Sequence, residues 1–79
     1  MKRVTVTVRG NYRDATTTVR AAVKQTVAGS RYLEVTWRQM HAAGDRCCYA
    51  GTDYPVLCDV PGYTPWRQCQ NGDWIAYED

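Results

Sequence analysis

The sequence predicts an α+β fold in which one helix packs on a small, mainly antiparallel sheet, in the order β-α-β-β-β-β with a C-terminal hairpin. Three observations predict it. Val4, Val6 and Val8 alternate with Arg3, Thr5, Thr7 and Arg9. Ala15, Val19, Ala22, Val23 and Val27 recur at helical spacing. Asn71-Gly72 separates two runs able to pair, WRQCQ and DWIAY.

The first alternation has the period of a strand with one buried and one wet, basic face, and Gly10-Asn11 ends it. Asp14 then offers an N-cap and Gly29 a C-terminal stop, so a helix is expected over 14–28, with Arg13, Thr17, Arg20 and Lys24 as a basic stripe opposite the valines. From Arg31 alternation returns, with Leu33, Val35 and Trp37 on one face of a second strand and Tyr32, Glu34, Thr36 and Arg38 on the other. His41 to Asp45 reads as a hairpin loop leading to a strand over Arg46 to Ala50, and Gly51-Thr52-Asp53 as a turn. Pro55 cannot donate to a ladder, so the segment to Val60 is expected to be an edge strand or only partly a strand. In the last hairpin a two-residue type I′ turn would set Cys69 opposite Trp74 and Trp66 opposite Tyr77.

Seventy-nine residues without a composition break leave room for one domain spanning 1–79. Twelve Val, Ile and Leu and no Phe make the aliphatic supply thin, and three Trp with six Tyr compensate. No apolar run reaches the roughly 18 residues that cross a bilayer, and the alternating N-terminus is not a signal peptide, so a cytosolic protein with no membrane partner is expected. Thiols stay reduced there. Cys47, Cys48, Cys58 and Cys69 lack a C-x2-C pair, and adjacent cysteines in a strand point to opposite faces. Small buried thiols are the leading account, with a disulfide or a zinc site as alternatives, and no cofactor or bound metal is expected.

Charge is uneven. Residues 1–43 carry eight Lys and Arg against two acids, a net +6, while residues 44–79 carry two against six, a net −4. The acidic half interleaves carboxylates with aromatics, the composition of a recognition surface. Its candidate partner-binding residues are Asp53, Tyr54, Asp59, Tyr63, Trp66, Asp73, Trp74, Tyr77 and Glu78. The basic half offers a different site, Arg3, Arg9, Arg20, Lys24 and Arg38, suited to neutralising phosphates. One His, one Ser and no phosphate loop or paired-carboxylate motif leave no catalytic constellation, His41 with Cys47 being an unspecific pair, so the protein is read as a non-enzyme.

Two resemblances bear on these readings. Cys58-Asp-Val-Pro-Gly62-Tyr63 and Cys69-Gln-Asn-Gly72-Asp-Trp74 look like pieces of extracellular complement-control modules, but the cysteine that closes those modules after the Trp has no counterpart here. In size, element order and aromatic content the chain is similar to small phage-encoded anti-CRISPR and other anti-defence proteins. That resemblance implies a non-catalytic inhibitor, in the host cytosol, that occupies a protein or nucleoprotein partner such as a CRISPR effector and blocks its DNA binding. A small nucleic-acid-binding module using the basic residues is the alternative, and a zinc-bearing adaptor the third.

Overall fold

A computed structural model describes residues 2–12, 15–49 and 55–79. The described elements are β1 (Arg3–Arg9), β2 (Thr16–Gln25), β3 (Arg31–Val35), α1 (Trp37–Cys47), β4 (Val56–Leu57), β5 (Arg67–Gln68) and β6 (Trp74–Tyr77). The strands form one sheet in the order β4-β1-β2-β3-β6-β5, and every pairing is antiparallel. The protein is thus α+β, one helix on an antiparallel sheet, with β1 and the C-terminal hairpin where the sequence places them and β4 at the edge that Pro55 implies.

The helix is elsewhere. Residues 16–25 are strand β2, paired with β1 in a register that sets Val19 opposite Val6 and Ala21 opposite Val4. The helical reading of 14–28 rests on Ala15, Val19, Ala22, Val23 and Val27; of these Val19 and Val23, four apart, suit a strand face equally well, and Val27 is exposed in the loop after β2. Thr16, Thr17, Thr18, Val19 and Val23 are β-branched and stiff at χ1, which favours the pleated conformation, and the long ladder to β1 decides the outcome. Asp14 and Arg13, the expected cap and the start of the expected stripe, lie outside the described residues. Gly29 does adopt positive φ, 94°, but as the last residue of a three-residue hairpin loop between β2 and β3.

α1 occupies the segment expected to hold a hairpin loop and the start of a strand. Thr36 caps it: the Thr36 side chain accepts from the Gln39 N–H, and the Gln39 side chain accepts from the Thr36 N–H. β3 therefore ends at Val35, and Trp37, expected to continue its buried face, starts the helix with about half its surface exposed (51%). Met40, Ala43 and Cys47 form the buried stripe. Among the described residues the first half of β2 has no strand on the β3 side, and α1 seals that edge. Gln39 Nε2 donates to the Arg20 carbonyl at 2.8 Å, and Arg46 donates to Thr17 Oγ1 at 3.2 Å and the Thr18 carbonyl at 3.4 Å.

The core lies on one side of the sheet, where Val6, Val8, Val19, Ala21, Leu33 and Val35 meet the helical stripe and Leu57. Val60, Tyr63, Trp66 and Trp74 pack around its margin. Trp66 anchors its loop by donating Nε1–H to the Cys58 carbonyl at 3.0 Å. At the far end of α1, Gly10 is buried so closely that a Cβ there would overlap the Cys47 carbonyl.

The C-terminal hairpin also corrects a register. Gln68 pairs with Trp74 and Arg67 with Ile75, so Cys69 does not face Trp74, nor Trp66 Tyr77. The loop has three residues, Gln70 to Gly72, closed by the Cys69 N–H donating to the Asp73 carbonyl and with Gly72 at positive φ (94°), and the extra residue shifts the pairing by one. Both hairpins share this construction: Gln25 Nε2 donates to the Gly29 carbonyl, and Gln68 Nε2 to the Gly72 carbonyl.

Candidate nucleic-acid interface

A strand sends alternate side chains to opposite faces, so burying Val6, Val8, Val19 and Ala21 on one side dictates what the other side presents. On β1 that side carries Arg3, Thr5, Thr7 and Arg9; on β2 it carries Thr16, Thr18, Arg20, Ala22 and Lys24. Apart from buried Ala22 these residues are exposed.

The β1–β2 register arranges the cations. Arg3 stands opposite Ala22 and Arg9 opposite Thr16, so along β2 the order is Lys24, Arg3, Arg20, the Thr7–Thr18 pair, then Arg9. This zigzag covers eight residue steps, about 27 Å at the rise of an antiparallel strand. Among the described residues, no carboxylate lies within ion-pair distance of Arg3, Arg9 or Arg20. Arg3 donates to the Arg20 carbonyl at 3.2 Å, which holds its side chain along the face. Lys24 pairs with Glu34 at 2.8 Å, and that hydrogen bond and charge hold its ammonium pKa above the ordinary value.

Aromatic surface adjoins the row. Tyr32 lies opposite Lys24 on one side and Tyr77 on the other, and the two rings meet with centroids 5.6 Å apart at 44°. Tyr77 keeps 40% of its surface exposed. Cations beside an exposed aromatic ring on an open sheet are suited to phosphate neutralisation and base stacking.

Four of the five predicted basic residues thus share one face. Arg38 does not join them: it lies on α1 with its guanidinium 5.5 Å from the centre of the Trp37 ring. Tyr32 was not among the expected site residues. Its signal was its place on the wet side of the alternation in 31–35, opposite Leu33 and Val35.

The predicted acidic and aromatic site is dispersed. Asp53 and Tyr54 lie outside the described residues. Tyr63, Trp66 and Trp74 are half-buried against the core, and Tyr77 belongs to the open face. Asp73 joins the hairpin to the helix, its Oδ1 accepting the Trp37 N–H at 2.9 Å at the positive end of α1. Asp59 and Glu78 are exposed, and a bridge between Tyr63 and Glu78 ties the C-terminus to the loop that follows Asp59.

His41 lies on the exposed side of α1, 3.6 Å from Asp45, whereas Cys47 is in the core. The four cysteines form no disulfide. Among the described residues no three His, Cys, Asp or Glu side chains converge as a metal site, and no helix is long and apolar enough to cross a membrane. Comparisons with protein-family models, curated proteins and solved structures gave no match.

Proposed function

We propose that this protein is a non-catalytic binding module that engages nucleic acid, single strands foremost, through the open face of its sheet. The observation that supports this reading is the row of Lys24, Arg3, Arg20 and Arg9 on adjacent strands beside the Tyr32–Tyr77 pair. Arginine forks contact phosphates, threonine hydroxyls between them add hydrogen bonds, and Tyr77 offers a ring to a base. The test is fluorescence anisotropy with labelled single-stranded DNA and RNA across a salt series. Three or four neutralised phosphates should give a log–log slope of about −2 to −3, from about −0.7 per phosphate on single strands. Absence of binding at low salt would remove the reading.

A second reading is an inhibitor that covers a surface on a protein or nucleoprotein partner, in its most specific form a phage-encoded protein that blocks DNA binding by a CRISPR effector. The Tyr63–Glu78 bridge favours it, because it sets exposed Glu78 and Asp79 beside the loop after Asp59 as a small acidic end. Either role belongs in the cytosol, the host's if the protein is phage-encoded.

A further inference from the structure

Adjacent cysteines ordinarily point apart, by about 100° within a helix and about 180° within a strand. Cys47 and Cys48 are in neither situation. Cys47 is the last helical residue, and Cys48, with φ −132° and ψ 151°, is the extended cap whose N–H donates to the Gly44 carbonyl at 2.9 Å. The change from helical to extended backbone between the two swings their side chains together, and their Sγ atoms lie 3.7 Å apart. This corrects the expectation of diverging thiols, which rested on a strand at 46–50.

The two thiols differ in burial. Cys47 is buried; its thiol donates to the Ala43 carbonyl at 3.1 Å, and its own carbonyl accepts the Tyr12 N–H at 3.0 Å. Burial, then the hydrogen bond with Cys48, pushes the Cys47 thiol pKa up, so it stays protonated at neutral pH. Cys48 is half-buried, the more accessible of the two.

The separation of the sulfurs selects what they can hold. A disulfide at about 2.05 Å would require them to close by more than about 1.5 Å. A tetrahedral zinc with bonds of about 2.3 Å spans an edge of about 3.8 Å, which fits, but needs two further ligands. No group of three or more metal-binding side chains exists among the described residues. Trivalent arsenic is pyramidal, binds two thiolates at an angle near a right angle, and brings its third substituent with it. It asks of the protein two sulfurs at slightly less than the observed spacing.

We propose that Cys47 and Cys48 form a vicinal-dithiol site that captures trivalent arsenicals. With an arsenic(III) oxide, R–As=O, the Cys48 sulfur attacks first and the Cys47 sulfur closes the ring. Two As–S bonds form and the As=O bond breaks. The oxygen leaves as water with both thiol protons, and arsenic remains trivalent, so no oxidant or reductant takes part. The second bond is intramolecular, which sets the pair above any single thiol. The site belongs to the helix end and does not depend on the function of the open face.

The probe is phenylarsine oxide added to the reduced full-length protein in excess glutathione, read by intact mass. The expected result is one phenylarsenic adduct per chain that resists glutathione and is stripped by 2,3-dimercaptopropanol. The adduct should persist in a Cys58→Ser, Cys69→Ser double variant and be lost in Cys48→Ala. Cys48→Ala is the decisive variant because Cys47 is core and its replacement can unfold the chain; circular dichroism verifies the Cys48→Ala fold. An adduct that survives in folded Cys48→Ala, or no glutathione-resistant adduct in the wild type, would overturn the proposal.

Discussion

The two faces of the sheet share the same strands and ladders, yet one is fixed by packing and the other is left to surface chemistry. On the covered face Val6, Val8, Leu33 and Val35 are almost fully enclosed, and α1 reaches them with only three buried residues, Met40, Ala43 and Cys47. On the open face the same β1 and β2 present arginine and threonine, with nothing among the described residues packed above them. A row of like charges on neighbouring strands costs some stability by repulsion. On the proposed reading, stability and binding are carried by alternate residues of the same segments. Substitutions should therefore separate the two properties.

The largest effect belongs to the covered face. Leu33→Ala removes a side chain with no exposed surface from the centre of the core and should lower the unfolding free energy by about 3 kcal/mol. Denaturant melts with an unchanged slope would measure it. A loss under about 1 kcal/mol would mean that the core does not close over β3 as described.

An intermediate effect is expected where the C-terminal hairpin meets the helix. Asp73→Ala deletes the acceptor of the Trp37 N–H and a carboxylate at the helix N-terminus, which should cost about 1 kcal/mol. Oligonucleotide affinity should stay within about twofold of wild type, because the substitution removes no cation from the row and Asp73 acts on it only through a weak, screened field at Lys24. A large loss of affinity at unchanged stability would move the working surface to the acidic half.

The smallest stability effect should come from Lys24→Ala on the open face, within about 0.5 kcal/mol, since the pair with Glu34 is partly exposed and screened. Its pH dependence has a definite sign. Glu34 raises the folded-state pKa of Lys24, so the pair's contribution is complete below the unfolded value of 10.5 and is lost as pH rises through the higher folded value. Wild type and Lys24→Ala should therefore show parallel stability between pH 6 and 9, as measured by thermal melts. Divergence in that window would assign the coupling to another group.

How far this arrangement was legible depends on the residue. β1 was plain because every apolar position is Val and every intervening one is Arg or Thr. β2 was ambiguous because Val19 and Val23 satisfy periods of 2 and 3.6 alike, and only pairing with β1, a contact distant in sequence, separates them. α1 was hidden by Gly44-Asp45, which look like a turn, although the Thr36-x-x-Gln39 capping box marked its start. Gly44 is admitted inside the helix because Pro55 packs there, and a Cβ would come within 3.2 Å of the proline ring. For the candidate interface, Arg3 and Arg9 could be paired on one face from alternation alone. Arg20 and Lys24 are legible as basic partners, but helical spacing puts them on a different element; their assembly with Arg3 follows from β2 being a strand. Trp66 and Trp74 drew notice as large aromatics, and in a chain without Phe they serve the core margin instead.

The central claim is that the open face is the working surface. The most direct test measures oligonucleotide affinity at low salt for Arg3→Glu/Arg20→Glu against Asp59→Lys/Glu78→Lys, both verified as folded. Arg3 and Arg20 are surface side chains on the zigzag, so their reversal should reduce affinity by at least about 100-fold and flatten the salt dependence, while the acidic pair should retain or slightly strengthen binding. Unchanged affinity in the arginine variant, with loss in the aspartate–glutamate variant, would contradict the account.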